Sequence, residues 1–140
     1  MHFKAWKSRF KFLLYLIEIG EKKLRKIGFG FRAPYLIDAA NKSINNEINI
    51  NKNSKSYQNE LDELIKIKGV GKKVADCIMT YGYGRRDTFP VDRWVRRGLI
   101  NNLGYSSKLS NDKLSILAQE KFKNDSAYIQ QYIFYGEKTS

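Results

Sequence analysis

Two side chains capable of covalent chemistry stand at the starts of two predicted helices. Lys73 follows a Gly-Val-Gly turn, and Asp92 comes nineteen residues later, behind Phe-Pro-Val. An amine can attack an electrophilic carbon, and a nearby carboxylate can stabilise the positive charge that develops there. The spacing therefore makes Lys73 a candidate nucleophile and Asp92 its electrostatic partner.

Each of these side chains also has a simpler explanation. Lys73 could be a solvated lysine or a phosphate contact, and Asp92 could be a helix N-cap, which stabilises by ~1 kcal/mol. Capping and catalysis are compatible for Asp92, because a capping carboxylate is rigidly aimed. Cys77 lies one turn beyond Lys73 on the same helix face, although a lone cysteine is usually a core residue.

The turn Gly69-Val70-Gly71 is a candidate phosphate site. Glycines let a backbone approach a phosphate closely, and the start of the following helix presents unpaired N–H groups at its positive end. An ordinary helix–helix turn is the alternative. Lys72 and Lys73 stand directly behind the turn and favour phosphate binding.

The composition indicates which kinds of partner and metal site the chain can have. Its 140 residues include 26 Lys and Arg against 14 Asp and Glu, a net charge of +12, which favours nucleic acid as the partner. One cysteine and one histidine exclude an internal disulfide, a four-cysteine cluster and a His-rich metal site. Cysteine usage makes a reducing cytoplasm the expected compartment. The short N-terminal apolar run is interrupted by Glu18, and no segment approaches the length of a membrane span.

The elements that must position these residues are all predicted to be helical. Strand signals are scarce, and the apolar spacing indicates a single all-α domain over residues 1–140. Asn45–Ser56 is predicted to be a solvent loop, and Asp92 and Ser110 or Asn111 are predicted to cap helices. The predicted helices are Phe3–Ile19, Glu21–Ile27, Arg32–Ile44, Tyr57–Ile67, Lys72–Tyr81, Arg93–Asn102, Asn111–Phe122 and Ser126–Lys138.

Two linked motifs resemble those of a known family. The run GVGKKVADCI followed by FPVDRWV is similar to the helix-hairpin-helix DNA glycosylase superfamily, and within it to 8-oxoguanine DNA glycosylases. The resemblance extends back to LRKIGFGFRAPY and forward to AYIQQYIFYGE, so it spans most of the chain. It implies an all-α helix-hairpin-helix domain that removes 8-oxoguanine from duplex DNA by base excision and then cleaves the abasic site as a lyase.

The resemblance also implies a role for each matching residue. Lys73 would form a Schiff base and Asp92 would be the catalytic carboxylate. Around the extruded base, Cys77 would line one face, Gln131 would contact the Watson–Crick edge and Tyr135 would stack on the other face. The implied DNA contacts are an aromatic wedge at Phe31, a contact to the unpaired cytosine at Arg32, and further contacts at Gly69, Val70, Gly71, Lys72 and Trp94. No cofactor is expected, and a monovalent cation at the hairpin is the alternative left open.

The chain departs from the family pattern in three ways. Lys68 replaces a common proline, Trp94 replaces a histidine of animal relatives, and the family's N-terminal β-rich domain and an upstream helix are missing. Residues 1–20 match poorly, so a minimal form, a truncated product and a fragment all remain open. A single cysteine argues against the branches that carry a four-cysteine cluster. A non-catalytic DNA-binding protein, or a glycosylase for another damaged base, remains the alternative function, and the oligomeric state stays unknown.

Overall fold

Every regular element is helical in the computed structural model, which describes residues 2–50 and 56–139. This confirms the predicted all-α class. Within these ranges no helix is long and apolar enough to cross a membrane. The helices are α1 (His2–Leu24), α2 (Ala33–Ile44), α3 (Tyr57–Leu64), α4 (Lys72–Cys77), α5 (Arg93–Asn101), α6 (Asn111–Phe122) and α7 (Ser126–Thr139).

The chain groups into two compact units. The first comprises Met1–Asn53 and Asp62–Val70, and the second comprises Ser54–Leu61 and Gly71–Ser140. The sequence predicts one domain over the whole chain, and that stays a prediction. The predicted loop Asn45–Ser56 lies partly outside the described residues, at positions 51–55.

The first unit is formed mainly by α1 packed on α2. Gly20 interrupts α1 with φ 74° and ψ 163°, an extended left-handed conformation that glycine adopts easily. The predicted stop at Gly20 is therefore confirmed as a break, after which the chain turns helical again to Leu24. A wide helical turn over Arg25–Phe29 then leads into a short turn at Gly30–Arg32 and on to α2.

A carboxylate of α2 holds the segment that precedes the Gly-Val-Gly turn. Asp38 accepts the backbone N–H of Lys68 at 2.7 Å and the ammonium of Lys42 at 2.9 Å. Lys42 also donates to the carbonyl of Lys66 at 2.6 Å. The Lys68 amide, foremost, and the Lys42 ammonium lower the pKa of Asp38. A proline at position 68 could not donate this hydrogen bond.

The core of the second unit joins α5, α6 and the chain that enters α5. Gly98 brings α5 close to α7, because a Cβ there would lie 2.4 Å from Cγ2 of Ile133. Arg97 and Asn102 both donate to Glu137 of α7, and the Arg97 guanidinium is the main cause of the lowered pKa of Glu137. The fully buried cluster is Phe89, Val91, Val95, Leu99, Leu114 and Ala118.

Two predicted helices end earlier than the apolar pattern indicates. α3 ends at Leu64, and Ile67 donates to the Leu64 carbonyl in a turn at 3.1 Å. α4 ends at Cys77 and continues as a π-helical turn over Ile78–Gly82. Ser110 caps α6 by accepting the N–H of Lys113, which selects Ser110 from the two predicted caps.

Candidate nucleic-acid repair site

A cavity of about 180 Å³ lies in the second unit and contains both candidate catalytic side chains. Lys73 and Cys77 reach it from α4, Asp92 from the start of α5, and Gln131 from α7. Four residues singled out from the sequence therefore share one site. The complete lining is Lys73, Cys77, Tyr81, Pro90, Asp92, Gln130, Gln131 and Phe134.

Lys73 stands in the first turn of α4 and its side chain is exposed. Among the described side chains, those of residues 10–50 and 56–139, the structure shows no hydrogen bond or ion pair to its ammonium group. Gly71, the N-cap residue, has no side chain to satisfy the first N–H groups of α4. These groups leave the helix start beside Lys73 positively polarised.

Asp92 caps α5 while it faces the cavity. Its Oδ1 accepts the N–H groups of Trp94 at 2.9 Å and Val95 at 2.8 Å. The predicted N-cap is therefore confirmed. Because both bonds use Oδ1, the other carboxylate oxygen is left to interact with a molecule in the cavity. The capping bonds fix the direction of the carboxylate, as a catalytic group requires.

Cys77 and Tyr81 form a neutral wall of the cavity. Burial raises the pKa of the Cys77 thiol above its ordinary value, although the nearby Lys73 ammonium acts in the opposite direction. Burial likewise raises the pKa of the Tyr81 phenol. A thiol that stays protonated at neutral pH is a poor nucleophile, so the candidate nucleophile on α4 is Lys73 rather than Cys77.

Hydrogen bonds orient the side-chain amide of Gln131. Its Nε2 donates to the Tyr81 hydroxyl and, at 2.8 Å, to Oε1 of Gln130. Gln130 in turn donates to the carbonyl of Pro90 at 3.1 Å. Both N–H groups of Gln131 are thus engaged, and its Oε1 remains as a hydrogen-bond acceptor for a ligand.

Tyr135 departs from the expectation that it lines this cavity. The residue that does so is Phe134, which follows Gln131 by three positions and so shares its helix face. Tyr135 is 66% exposed and contacts Phe134 edge to face, with ring centroids 6.3 Å apart. Phe134 is therefore the aromatic residue of the cavity lining, and stacking of Tyr135 on a base stays a prediction.

The Lys72 side chain is not oriented for its predicted DNA contact, which stays a prediction. Its ammonium points inward and donates to four oxygens, those of Tyr57, Asp76 and Ser115 at 2.7 Å and of Gln119 at 3.1 Å. The side chain is only 12% exposed. An amine with three N–H groups and four acceptors within reach has none left for a phosphate.

The Gly-Val-Gly turn is more constrained than its sequence indicates. The N–H of Val70 donates to the carbonyl of Ile67 at 3.1 Å, so the expected phosphate contact of Val70 cannot use that group. Gly69 has φ 79° and packs against the ring of Tyr35. Gly71 has an ordinary extended backbone and open space where a side chain would stand. Phosphate binding by Gly69 and Gly71 stays a prediction.

Phe31 and Arg32 lie side by side in the first unit, between the wide turn and α2. Phe31 is 62% exposed, its ring meets Tyr35 edge to face at 6.4 Å, and the Arg32 guanidinium lies 4.7 Å from its centroid. An exposed aromatic ring of this kind suits insertion between bases. The expected roles of Phe31 and Arg32 stay predictions.

The Trp94 ring on α5 is flanked by two arginine side chains. The guanidinium groups of Arg93 and Arg97 lie 4.6 and 4.8 Å from its ring. This half-buried ring, flanked by two cations, stays a predicted DNA contact.

Four residues of the cavity lining were not predicted from the sequence: Tyr81, Pro90, Gln130 and Phe134. Their signal was proximity, since each lies within four positions of a residue that was chosen.

Comparison with solved structures identifies the class of protein that this chain resembles. In structure it matches the 8-oxoguanine glycosylase/lyase of Clostridium acetobutylicum, solved with duplex DNA containing cytosine opposite 8-oxoguanine, with a TM-score of 0.84 and 35% identity over 91% of this chain. A second solved structure, MBOgg1 with a low-affinity DNA ligand, gives a TM-score of 0.76 and 38% identity over 84% of this chain. The resemblance to the helix-hairpin-helix DNA glycosylase superfamily is therefore confirmed in the fold.

The sequence relatives agree with the structural ones. The chain is 32% identical to a probable N-glycosylase/DNA lyase of Methanothermobacter thermautotrophicus over 79% of its length, and 36% identical to the N-glycosylase/DNA lyase of Saccharomyces cerevisiae over 55%. It spans only 35% and 23% of these relatives, and 44% and 41% of the two solved chains. No protein-family model matches it.

Proposed function

We propose that this chain is the catalytic helical part of a base-excision DNA glycosylase with abasic-site lyase activity, acting on 8-oxoguanine in duplex DNA. The observation that carries the proposal is the meeting of Lys73, Asp92 and Gln131 around one cavity. Its volume of about 180 Å³ is below the roughly 300–1,000 Å³ of sites for drug-sized ligands, a scale that suits a single extruded base.

A base must leave the duplex before its glycosidic bond can be attacked. In the proposed complex the base enters between the Cys77 side of the cavity and Phe134, which supplies an aromatic face. The free Oε1 of Gln131 accepts hydrogen bonds, so it matches the N–H donors on the Watson–Crick edge of a guanine. An adenine presents an acceptor at the corresponding ring nitrogen, and the fixed amide disfavours it.

The chemistry then follows from the two charged groups. The neutral Lys73 amine forms a bond to C1′ of the sugar, while the bond from C1′ to the base breaks and its electron pair leaves with the base, which gains a proton. The Asp92 carboxylate stabilises the positive charge on the sugar ring during this step. Ring opening gives a protonated imine, and loss of a 2′ proton expels the 3′ phosphate by β-elimination.

The implied partner is duplex DNA, and the charge of +12 supports it. We place the open start of α4 against a phosphate of the damaged strand, since its N–H groups have no side-chain cap. The first unit would supply Phe31 as the wedge and Arg32 beside it. A monovalent cation at the hairpin stays part of the proposal. We place the protein in the cytoplasm, with the DNA.

Borohydride trapping tests the proposal directly, because borohydride reduces an imine to a stable amine. The chain should form a covalent complex with an 8-oxoguanine duplex, and Lys73→Gln should form none while it binds undamaged duplex within about twofold of the unsubstituted chain. Lys113→Gln is the matched control, since this exposed lysine of α6 carries the same charge outside the cavity. Equal trapping by both variants would remove Lys73 from the mechanism. Duplex binding without any trapping would favour the non-catalytic alternative.

A further inference from the structure

A buried polar cluster in the second unit has no part in the chemistry proposed above. We define the Lys72 cluster as Tyr57, Lys72, Asp76, Ser115 and Gln119. Lys72 donates to all the others, and Tyr57 also donates to Oδ1 of Asp76 at 2.7 Å. Asp76 is fully buried. The cluster therefore closes a hydrogen-bonded ring around one buried ion pair.

Stability alone does not account for such a cluster. A buried ion pair loses its hydration, and well-packed apolar residues of similar volume often stabilise a fold as well or better. A hydrogen-bonded cluster does, however, fix the orientation of the helices that contribute to it. Lys72 and Lys73 are neighbours on α4, so their side chains leave the helix about 100° apart. Holding Lys72 inward therefore sets the rotation of α4 about its axis, and with it the direction of Lys73.

The same cluster reaches the chain that carries Asp92. Ser115 of α6 accepts from Lys72 and donates its own hydroxyl proton to the carbonyl of Phe89 at 2.7 Å. One turn along α6, Gln119 accepts from Lys72 and donates to the carbonyl of Asp87 at 2.8 Å. These two carbonyls belong to the non-helical segment that ends at Asp92.

Two side chains of α6 thus connect both catalytic segments. We infer that Ser115 and Gln119 are positioning residues that set the distance between the Lys73 amine and the Asp92 carboxylate. This inference rests on the proposed function, because it concerns the placement of the proposed catalytic pair. Neither residue lines the cavity, so neither contacts the base directly.

Single-turnover excision of 8-oxoguanine provides the test, with affinity for undamaged duplex measured in parallel. Ser115→Ala breaks the connection to Phe89, and Gln119→Leu, at a half-buried position, breaks the connection to Asp87. Each should slow excision about tenfold or more, since misplacing reacting groups by 1 Å can cost on the order of 100-fold. Affinity should stay within about twofold. Ser126→Ala is the matched control, because this buried hydroxyl has no hydrogen-bond partner among the described residues.

A double-mutant cycle separates positioning from general destabilisation. If Ser115 acts through Asp92, then Ser115→Ala should slow the residual excision of Asp92→Asn by less than about threefold. The same fold loss in both backgrounds, or an excision rate for Ser115→Ala equal to that of Ser126→Ala, would overturn the inference while the proposed function stands. If the unsubstituted chain neither excises the base nor forms the trapped complex, the proposed function fails and the inference fails with it.

Discussion

Gly69 and Gly71 flank one valine but should respond in opposite ways to the same substitution. Gly69 has φ 79°, and a Cβ there would lie 2.3, 2.4 and 2.8 Å from Cδ2, Cε2 and Cγ of Tyr35. A left-handed alanine costs roughly 1–2 kcal/mol, and overpacking against a ring held in place costs about 1–3 kcal/mol. Gly69→Ala should therefore lower the free energy of unfolding by about 2–5 kcal/mol.

Gly71→Ala is the matched control for stability. Gly71 has φ −97° and ψ −177°, and a Cβ there would meet nothing within 4 Å. Alanine adopts this backbone without strain, so its effect should stay within about 1 kcal/mol and can be stabilising. Its methyl group would instead separate the backbone from a bound phosphate, so Gly71→Ala should weaken duplex binding while leaving stability intact.

Urea denaturation followed by circular dichroism measures both variants, and a shift of the midpoint at constant slope reports stability. In a Tyr35→Ala background the steric part of the Gly69→Ala loss should vanish, leaving the backbone part of roughly 1–2 kcal/mol. Equal stability of Gly69→Ala and Gly71→Ala would refute this account. An undiminished loss in the Tyr35→Ala background would refute the steric part alone.

Three further predictions concern charge and recognition. Lys72→Met should lower the free energy of unfolding by about 3–5 kcal/mol in urea denaturation, because it leaves Asp76 buried and unpaired; a loss as small as that of Lys113→Met would contradict the buried cluster. Gln131→Ala should slow excision of 8-oxoguanine by about 1–3 kcal/mol of barrier but cleavage at a pre-formed abasic site far less, and equal losses would make Gln131 structural. The pKa of Asp38 is below its ordinary value of 3.8, so its contribution to stability is complete above that pH and is lost as the pH falls through the lowered pKa. Stability measured between pH 5 and pH 2 should therefore fall less steeply for Asp38→Asn, and identical slopes would show that the Lys68 amide does not discriminate between the charged and neutral forms.

Local signals in the sequence predicted much of the fold. Gly20 breaks its helix because it takes a backbone conformation that other residues avoid. Pro90 disfavours helical backbone at the residue before it, and Asp92, two residues after Pro90, forms the predicted cap. The catalytic pair could be proposed because both members stand at helix starts marked by such residues.

The two lysines that follow the turn show what the local sequence pattern could not predict, namely which lysine points inward. Lys72 and Lys73 are identical in type, and the α6 partners that hold Lys72 inward lie more than forty positions away. A usable signal did exist, since Lys72 and Asp76 form an i,i+4 pair of opposite charge. The choice between Phe134 and Tyr135 was harder, because both neighbours lie near the face of Gln131 and only the packing of α7 distinguishes them.

The π-helical turn at Ile78–Gly82 makes the cavity depend on how many residues separate Cys77 from Tyr81. Lys73, Cys77 and Tyr81 are spaced by four and line one cavity. In a uniform α-helix each step of four drifts by about 40° around the axis, whereas a π-helical turn holds more residues and offsets the drift. Removing one residue between Cys77 and Tyr81 would leave too few residues for this wider turn. It would shift the tyrosine out of register with Gln131, so a deletion here should alter the cavity more than a substitution does.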